Sequence, residues 1–156
     1  MVTAVESRAF NRRVIEEFRA CGGKVGGRHA GLPLLLLTST GAHTGLLRTV
    51  PLTYLADRDR YVVAAGAAGA NPAWYHNVLA RPAVTIEVGT AVFDALAWTA
   101  VRAERDVLFQ RFTADQPQLL SYQAESRRQV PMIVLTPIAP GLTHASPSST
   151  PWYAQR

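Results

Sequence analysis

The chain has little sulfur and almost no lysine: one cysteine, Cys21, two methionines, and Lys24 alone in 156 residues. A lone thiol excludes an intrachain disulfide and suits a reducing compartment. Of the 16 basic residues, removing the single lysine leaves fifteen arginines, which dominate a formal net charge of +5. No apolar run approaches the roughly 18 residues that a membrane span needs. The longest candidate, Leu32 to Leu37, is strand-sized. The first twenty residues carry charges throughout and no apolar h-region, so no secretory leader is expected and the cytoplasm is the expected compartment. His29, His43, His76 and His144 are scattered without an i,i+4 pair, and no metal site is expected. The strings GxGxxG, GxxxxGK and GxSxG are missing, which removes the dinucleotide fingerprint, the P-loop and the hydrolase nucleophile elbow. Carboxylates pair only on helical stretches and in the Asp57/Asp59 turn, so general acid/base hydrolysis is not indicated. The arginines form no run interleaved with aromatics, which argues against nucleic acid as a partner.

What is present is a globular composition, 48% hydrophobic and 17% charged, at a length that fits one domain. Val5 to Ala20 reads as an amphipathic helix, with Phe10, Val14 and Phe18 at four-residue spacing. A stripe packed on the core is its simplest use; a lid, or peripheral contact with a membrane surface, is the alternative. Cys21 lies near that stripe and reads as a small core residue. GGKVGG then ends the helix. From Pro33 the pattern becomes strand-like: LLLLTST, RTVPLTYLA and RYVVAAG, with Pro51 suited to a bulge or an edge. Asn71 and Pro72 read as the cap and first residue of a helix that Pro82 ends. AVTIEVG and AVFDALAWTAV are further strands, Arg102 to Ala114 a helix, DQPQLLSYQAESRRQV a short polar helix or loop, and PMIVLTPI a last strand. About six strands with few helices, the first three joined by turns too short for parallel crossovers, indicate an antiparallel α+β, mainly β architecture: a small barrel with flanking helices. Three parts are expected: residues 1–32, a helix and glycine-rich connection; 33–140, the barrel domain; and 141–156, a flexible Ser/Pro-rich tail.

Two glycine-rich elements bracket the second and third strands. TSTGAHTGLLRTVPL, Thr38 to Leu52, supplies loop amides and Arg48, which can fork onto a phosphate or carboxylate. GAAGANP feeds the start of the Asn71 helix, and a helix N-terminus attracts anions. The small residues Ala64 to Ala70 allow a flat ligand close to the backbone, with Trp74, Tyr75 and Asn77 in reach. Together they suggest a planar, anionic ligand, although a glycine-rich turn is more often purely structural.

Three segments, LLLLTSTGAHTGLLRTVPLTYL, YVVAAGAAGANPAWYHNVLARPAVTIEV and SYQAESRRQVPMIVLTP, together resemble the deazaflavin-dependent nitroreductases. These are flavin/deazaflavin oxidoreductases of actinobacteria with a split β-barrel. The motif N-P-x-W-Y-x-N-L-x-A-x-P is matched at Asn71 to Pro82, with Val78 before Leu79, and is the most specific signal. The resemblance implies a reductase using coenzyme F420, an 8-hydroxy-5-deazaflavin with a phospholactyl-oligoglutamate tail. It implies hydride transfer between the deazaflavin C5 and a small electron-poor substrate of ene or quinone type. It assigns the tail to Ala42, His43, Thr44, Gly45 and Arg48. The ring falls to Thr49, Val50, Pro51, Leu52 and Thr53 and to the backbone at Ala64, Ala65, Gly66 and Ala67, and site closure to Ala73, Trp74, Tyr75 and Asn77. Tyr122 matches a pocket tyrosine of the family, and Tyr122 and His76 are the candidates for protonating the product. The family usually has Arg-Lys where Ala42 and His43 stand and Ser-Lys where Gly66 and Ala67 stand, and Gln116 and Leu119 lie near the places of two further pocket tyrosines. Nitroimidazole reduction is therefore not carried over. FMN or another flavin- or tetrapyrrole-like ligand is the alternative, as is a pocket reused for isomerisation or cyclisation. A homodimer is a further expectation, since split barrels of this type often dimerise.

Overall fold

The computed structural model describes residues 4–66 and 71–138; the tail expected at 141–156 lies outside them. In chain order the elements are α1 (Ala4–Ala20), β1 (Leu34–Thr40), β2 (Leu47–Thr53), β3 (Leu55–Asp57) and β4 (Arg60–Ala64). Then follow α2 (Ala73–Ala80), β5 (Ala83–Val88), β6 (Ala91–Thr99), α3 (Arg102–Asp115), α4 (Gln118–Glu125) and β7 (Met132–Pro137). No helix among the described residues is long and apolar enough to cross a membrane.

The strands form one sheet in the order β2-β1-β5-β6-β7-β4-β3, with every neighbouring pair antiparallel. β2 and β3 hold opposite edges, yet only Tyr54 separates them in the chain. One residue spans at most about 3.6 Å, so the sheet has to curl until its edges meet. The result is the expected split barrel, open along one seam. It has seven strands rather than six because the RTVPLTYLA run changes partner. Leu34 pairs with Thr53, whereas Leu55 pairs with Val62. Tyr54 makes the change, its N–H donating to Pro33 O at 3.0 Å. Pro51 sits on edge strand β2, where its missing N–H leaves no gap in a ladder.

Alternation along the strands sorts the core into an inside and an outside. Leu35, Leu37, Val63, Ile86, Ala95, Ile133 and Leu135 fill the barrel. Tyr54, Tyr61 and Phe93 gather at the β1-start end, with successive ring centroids 5.3 and 6.5 Å apart. Trp74 and Val78 of α2 join the same core from the other end. Outside, Val14 and Phe18 of α1 cover Leu34 and Leu36. Leu108 and Phe112 of α3 and Leu119 of α4 cover Val62, Met132 and Val134. The α1 stripe is thus taken up by the sheet and is not offered to a membrane. Cys21 departs from expectation: it is exposed, because α1 ends at Ala20 and Cys21 opens the turn that follows, whose Gly22 and Gly23 lie against Thr90 and Gly89.

One buried ion network ties α3 to the barrel edge. Asp57, at the end of β3, accepts from Arg111 at 2.6 Å and also from Arg60. These bonds, Arg111 first and Arg60 second, hold its carboxyl below the usual carboxylate value of 3.8. A depressed folded pKa stabilises fully above the unfolded value and loses that contribution as pH falls through the folded one. Asp57→Asn should therefore cost roughly 1–3 kcal/mol at neutral pH. Urea melts should show the gap to the parent protein narrowing in acid below the ordinary carboxylate range; a gap independent of pH contradicts this account.

Candidate functional site

The loop between β1 and β2 is built on its own backbone. Gly41 N donates to Leu46 O at 2.8 Å, and Gly45 N to Gly41 O at 2.9 Å. Thr44 Oγ1 accepts from Leu46 N at 3.2 Å. Gly45 sits at φ +71°, where a side chain is strained. The loop is docked from outside by α2: Asn77 Oδ1 accepts from Ala42 N at 3.0 Å, and Asn77 Nδ2 donates to Ser39 Oγ at 3.4 Å. Asn77 and Ser39 are both buried, so this amide fastens the helix to the loop where water competes little. Among the described residues, the amides of His43 and Thr44 donate to nothing. They remain available to a ligand.

Arg48 is the second residue of β2, directly opposite Ser39. By strand alternation it shares a face with Val50 and Leu52, which pack against the barrel core. Its guanidinium is exposed and has no hydrogen bond or ion pair among the described residues. The same alternation divides the ring-lining stretch named above. Thr49, Pro51 and Thr53 turn to the outer face, and Thr49 shares a 2.8 Å hydroxyl contact with Thr38.

The second glycine-rich element starts beneath α4. Ala64 packs against the outer cluster under α3 and α4, and Ala65 belongs to the barrel core. A Cβ on Gly66 would lie 2.8 Å from Leu119 Cδ1 and 3.7 Å from Tyr122 Cδ2. Glycine is what lets α4 lie this close, and a serine there would need Leu119 to move. Ala67 lies outside the described residues. On α2, Trp74 is only 7% exposed and is part of the core. Tyr75 packs against the same cluster, while Ala73 and His76 are exposed. A loop with free amides, a glycine held at positive φ and a guanidinium without a carboxylate partner fits an anionic group.

The family model for F420H(2)-dependent quinone reductases matches residues 10–137. The chain belongs to this family. An F420H(2)-dependent quinone reductase of Mycobacterium tuberculosis is 37% identical over 125 residues, covering 76% of this chain and 84% of that relative. The solved F420-H2-dependent reductase FDR-A superposes with a TM-score of 0.61 at 31% identity, over 66% of this chain and 93% of its own. A domain-swapped dimer superposes with a TM-score of 0.63 at 30% identity, over 82% of this chain and 95% of its own. Membership makes the chain an oxidoreductase of the coenzyme F420-dependent class, on the split-barrel fold seen in those neighbours.

In this F420H(2)-dependent quinone reductase family member, the start of α2 differs from its sequence pattern. The helix begins at Ala73 with Pro72 at the N-cap, and no side chain caps it. Asn71 Oδ1 instead accepts from Arg128 Nε at 3.0 Å and Nη2 at 2.7 Å. A charged fork is a stronger donor pair than one helix amide, so it wins the asparagine. Arg128 is held in turn: its carbonyl accepts from Gln123 Nε2 at 2.9 Å, and Gln123 Oε1 accepts from Val130 N at 2.8 Å and Arg105 Nη2 at 3.0 Å. Gly66 and Asn71 are therefore each met from α4 and its following loop, Gly66 by Leu119 and Asn71 by Arg128. Sequence reasoning passed over Arg128; the basic pair just before the last strand was the available signal. Arg128→Ala should weaken F420 binding several-fold while costing about 1–2 kcal/mol of stability. Arg128→Lys, which keeps the charge but loses the fork, should restore only part of the affinity. Equilibrium titration beside chemical denaturation separates the two effects, and unchanged affinity in Arg128→Ala rules the anchoring role out.

Proposed function

We propose that the chain passes a hydride from reduced coenzyme F420 to a small electron-poor acceptor of ene or quinone type. The observation that carries this reading is the docking of the Gly41–Leu46 loop onto the barrel-plugging helix by Asn77. It brings that loop beside the barrel end in a chain of this family, which supports an anion cradle there. When bound, the deazaflavin supplies two-electron hydride donation at C5, and the protein supplies orientation and electrostatics. Ala42, His43, Thr44, Gly45 and Arg48 hold the phosphate and glutamate tail. Val50 and Leu52, with the backbone of Thr49, Pro51 and Thr53, flank the ring from the β2 edge; the backbone at Ala64, Ala65 and Gly66 faces the ring, Ala67, outside the described residues, is assigned the same role, and Ala73, Trp74, Tyr75 and Asn77 close the site. Tyr122 and His76 are the proton donors to the reduced product. Tyr122 is the better placed, being 40% exposed on α4 and packed over Gly66; His76 stands on the exposed side of α2 with its ring 5.7 Å from Tyr75. The neighbouring domain-swapped dimer supports a homodimer for this chain as well.

Anaerobic titration of reduced F420 with the pure protein, followed by addition of a soluble naphthoquinone, tests the proposal. Saturable binding and acceptor-dependent reoxidation are the expected results. Binding without turnover on any quinone or enone would remove the acceptor class, and absence of binding would remove the function.

A further inference from the structure

We infer that Arg81 is a second cation of the tail cradle, so that the ligand's anionic groups lie between two guanidiniums, Arg48 and Arg81. The inference rests on the F420 reading above and adds a residue that neither motif matching nor loop composition had selected.

Arg81 follows the last residue of α2, and its backbone N–H still bonds to Asn77 O at 2.8 Å. It stands four residues after Asn77, at the C-cap, where the backbone has turned extended (φ −138°, ψ 94°). Asn77 meets the loop at Ala42, and Arg81 reaches it further along, with Nη1 4.0 Å from where a Cβ on Gly45 would stand. The helix therefore lays a polar edge along the loop: an amide at one end and a guanidinium at the other. Across the loop, Arg48 sits opposite Ser39, the residue that Asn77 also holds. Arg81 is exposed and, among the described residues, makes no side-chain hydrogen bond or ion pair. Two guanidiniums without an ion pair among the described residues thus adjoin the loop that carries the free amides of His43 and Thr44, Arg81 at Gly45 and Arg48 on the strand that follows. Phosphate and carboxylate are the groups that such a pair recognises, through forked, charge-assisted hydrogen bonds. A cation at a helix C-terminus also interacts favourably with the helix dipole. That purely structural role predicts a lower melting temperature and no dependence of binding on the ligand's tail.

The test compares three ligands: the tail-less 8-hydroxy-5-deazariboflavin, F420 with its phosphate but no glutamates, and polyglutamylated F420. Their affinities are measured by fluorescence titration with the parent protein, Arg81→Ala and Arg81→Lys, alongside melting curves. Arg81→Ala is expected to weaken the polyglutamylated ligand roughly tenfold, to leave the tail-less ligand unchanged, and to be partly rescued by lysine. A loss shared by the glutamate-free ligand assigns Arg81 to the phosphate, and a loss confined to the polyglutamylated one assigns it to the carboxylates. Equal affinity of parent and Arg81→Ala for polyglutamylated F420 overturns the inference and leaves the F420 reading standing. An equal loss on the tail-less ligand overturns it in favour of a structural role. A parent protein that binds none of the three overturns the F420 reading and this inference with it.

Discussion

Arg48→Ala is expected to raise the dissociation constant for F420 by roughly ten- to a hundredfold. A hydrogen bond to a charged group is worth about 1.5–3 kcal/mol, and each 1.4 kcal/mol is about tenfold in affinity. The substitution should leave folding intact, because the side chain is exposed and makes no bond within the described protein. Its effect should shrink as salt is added, since screening weakens contacts between exposed charges. The companion change, His43→Lys, adds a permanent positive charge to the same loop and should tighten binding. Fluorescence titration of both variants at low and high salt checks the pair. An unchanged constant in Arg48→Ala would move the tail away from β2, and an unchanged one in His43→Lys would move it away from residue 43.

Trp74→Ala should be the most destabilising single change at the site, at about 3–5 kcal/mol. The indole packs with Val78, Ala97 and Ile133 at the α2 end of the barrel, so truncation leaves a cavity that the stiff strand framework cannot close. For a chain of this size the loss corresponds to roughly 6 to 20 °C in melting temperature. F420 affinity should fall as well, because the same helix carries Asn77 to the loop. Trp74→Phe, which keeps most of the apolar bulk, should recover much of the stability. A melting temperature for Trp74→Ala within a degree or two of the parent would show that α2 is not a structural plug.

Much of the architecture was legible along the chain. The four-residue spacing of Phe10, Val14 and Phe18 announced α1 and the face it buries, and β1 was readable from LLLLTST to the residue. Short turns excluded parallel crossovers, and all the strand pairs are antiparallel. The loop at Thr38 to Leu52 and the Asn71–Pro82 motif stood out because glycines, a proline and an asparagine cluster where regular structure stops. The errors have a common cause. Asn71 carries the ordinary signature of a helix cap, but Arg128, distant in sequence, competes for its oxygen. Cys21 continues a helical stripe whose helix has already ended. RTVPLTYLA reads as one strand because extended backbone does not record which partner it pairs with.

By itself, the amino-acid order displayed most of the elements, their antiparallel sense, the family and the two glycine-rich segments proposed to hold the ligand. Periodicity and turn chemistry act over a few residues, and so a sequence displays them directly. Only the tertiary structure decided that the sheet closes at Tyr54, that Asn77 fastens loop to helix, that Arg128 grips Asn71 and that Arg81 reaches Gly45. Each of these is a contact between residues far apart in the chain or on different elements. Curling of the sheet brings them together, and no local pattern encodes that curl.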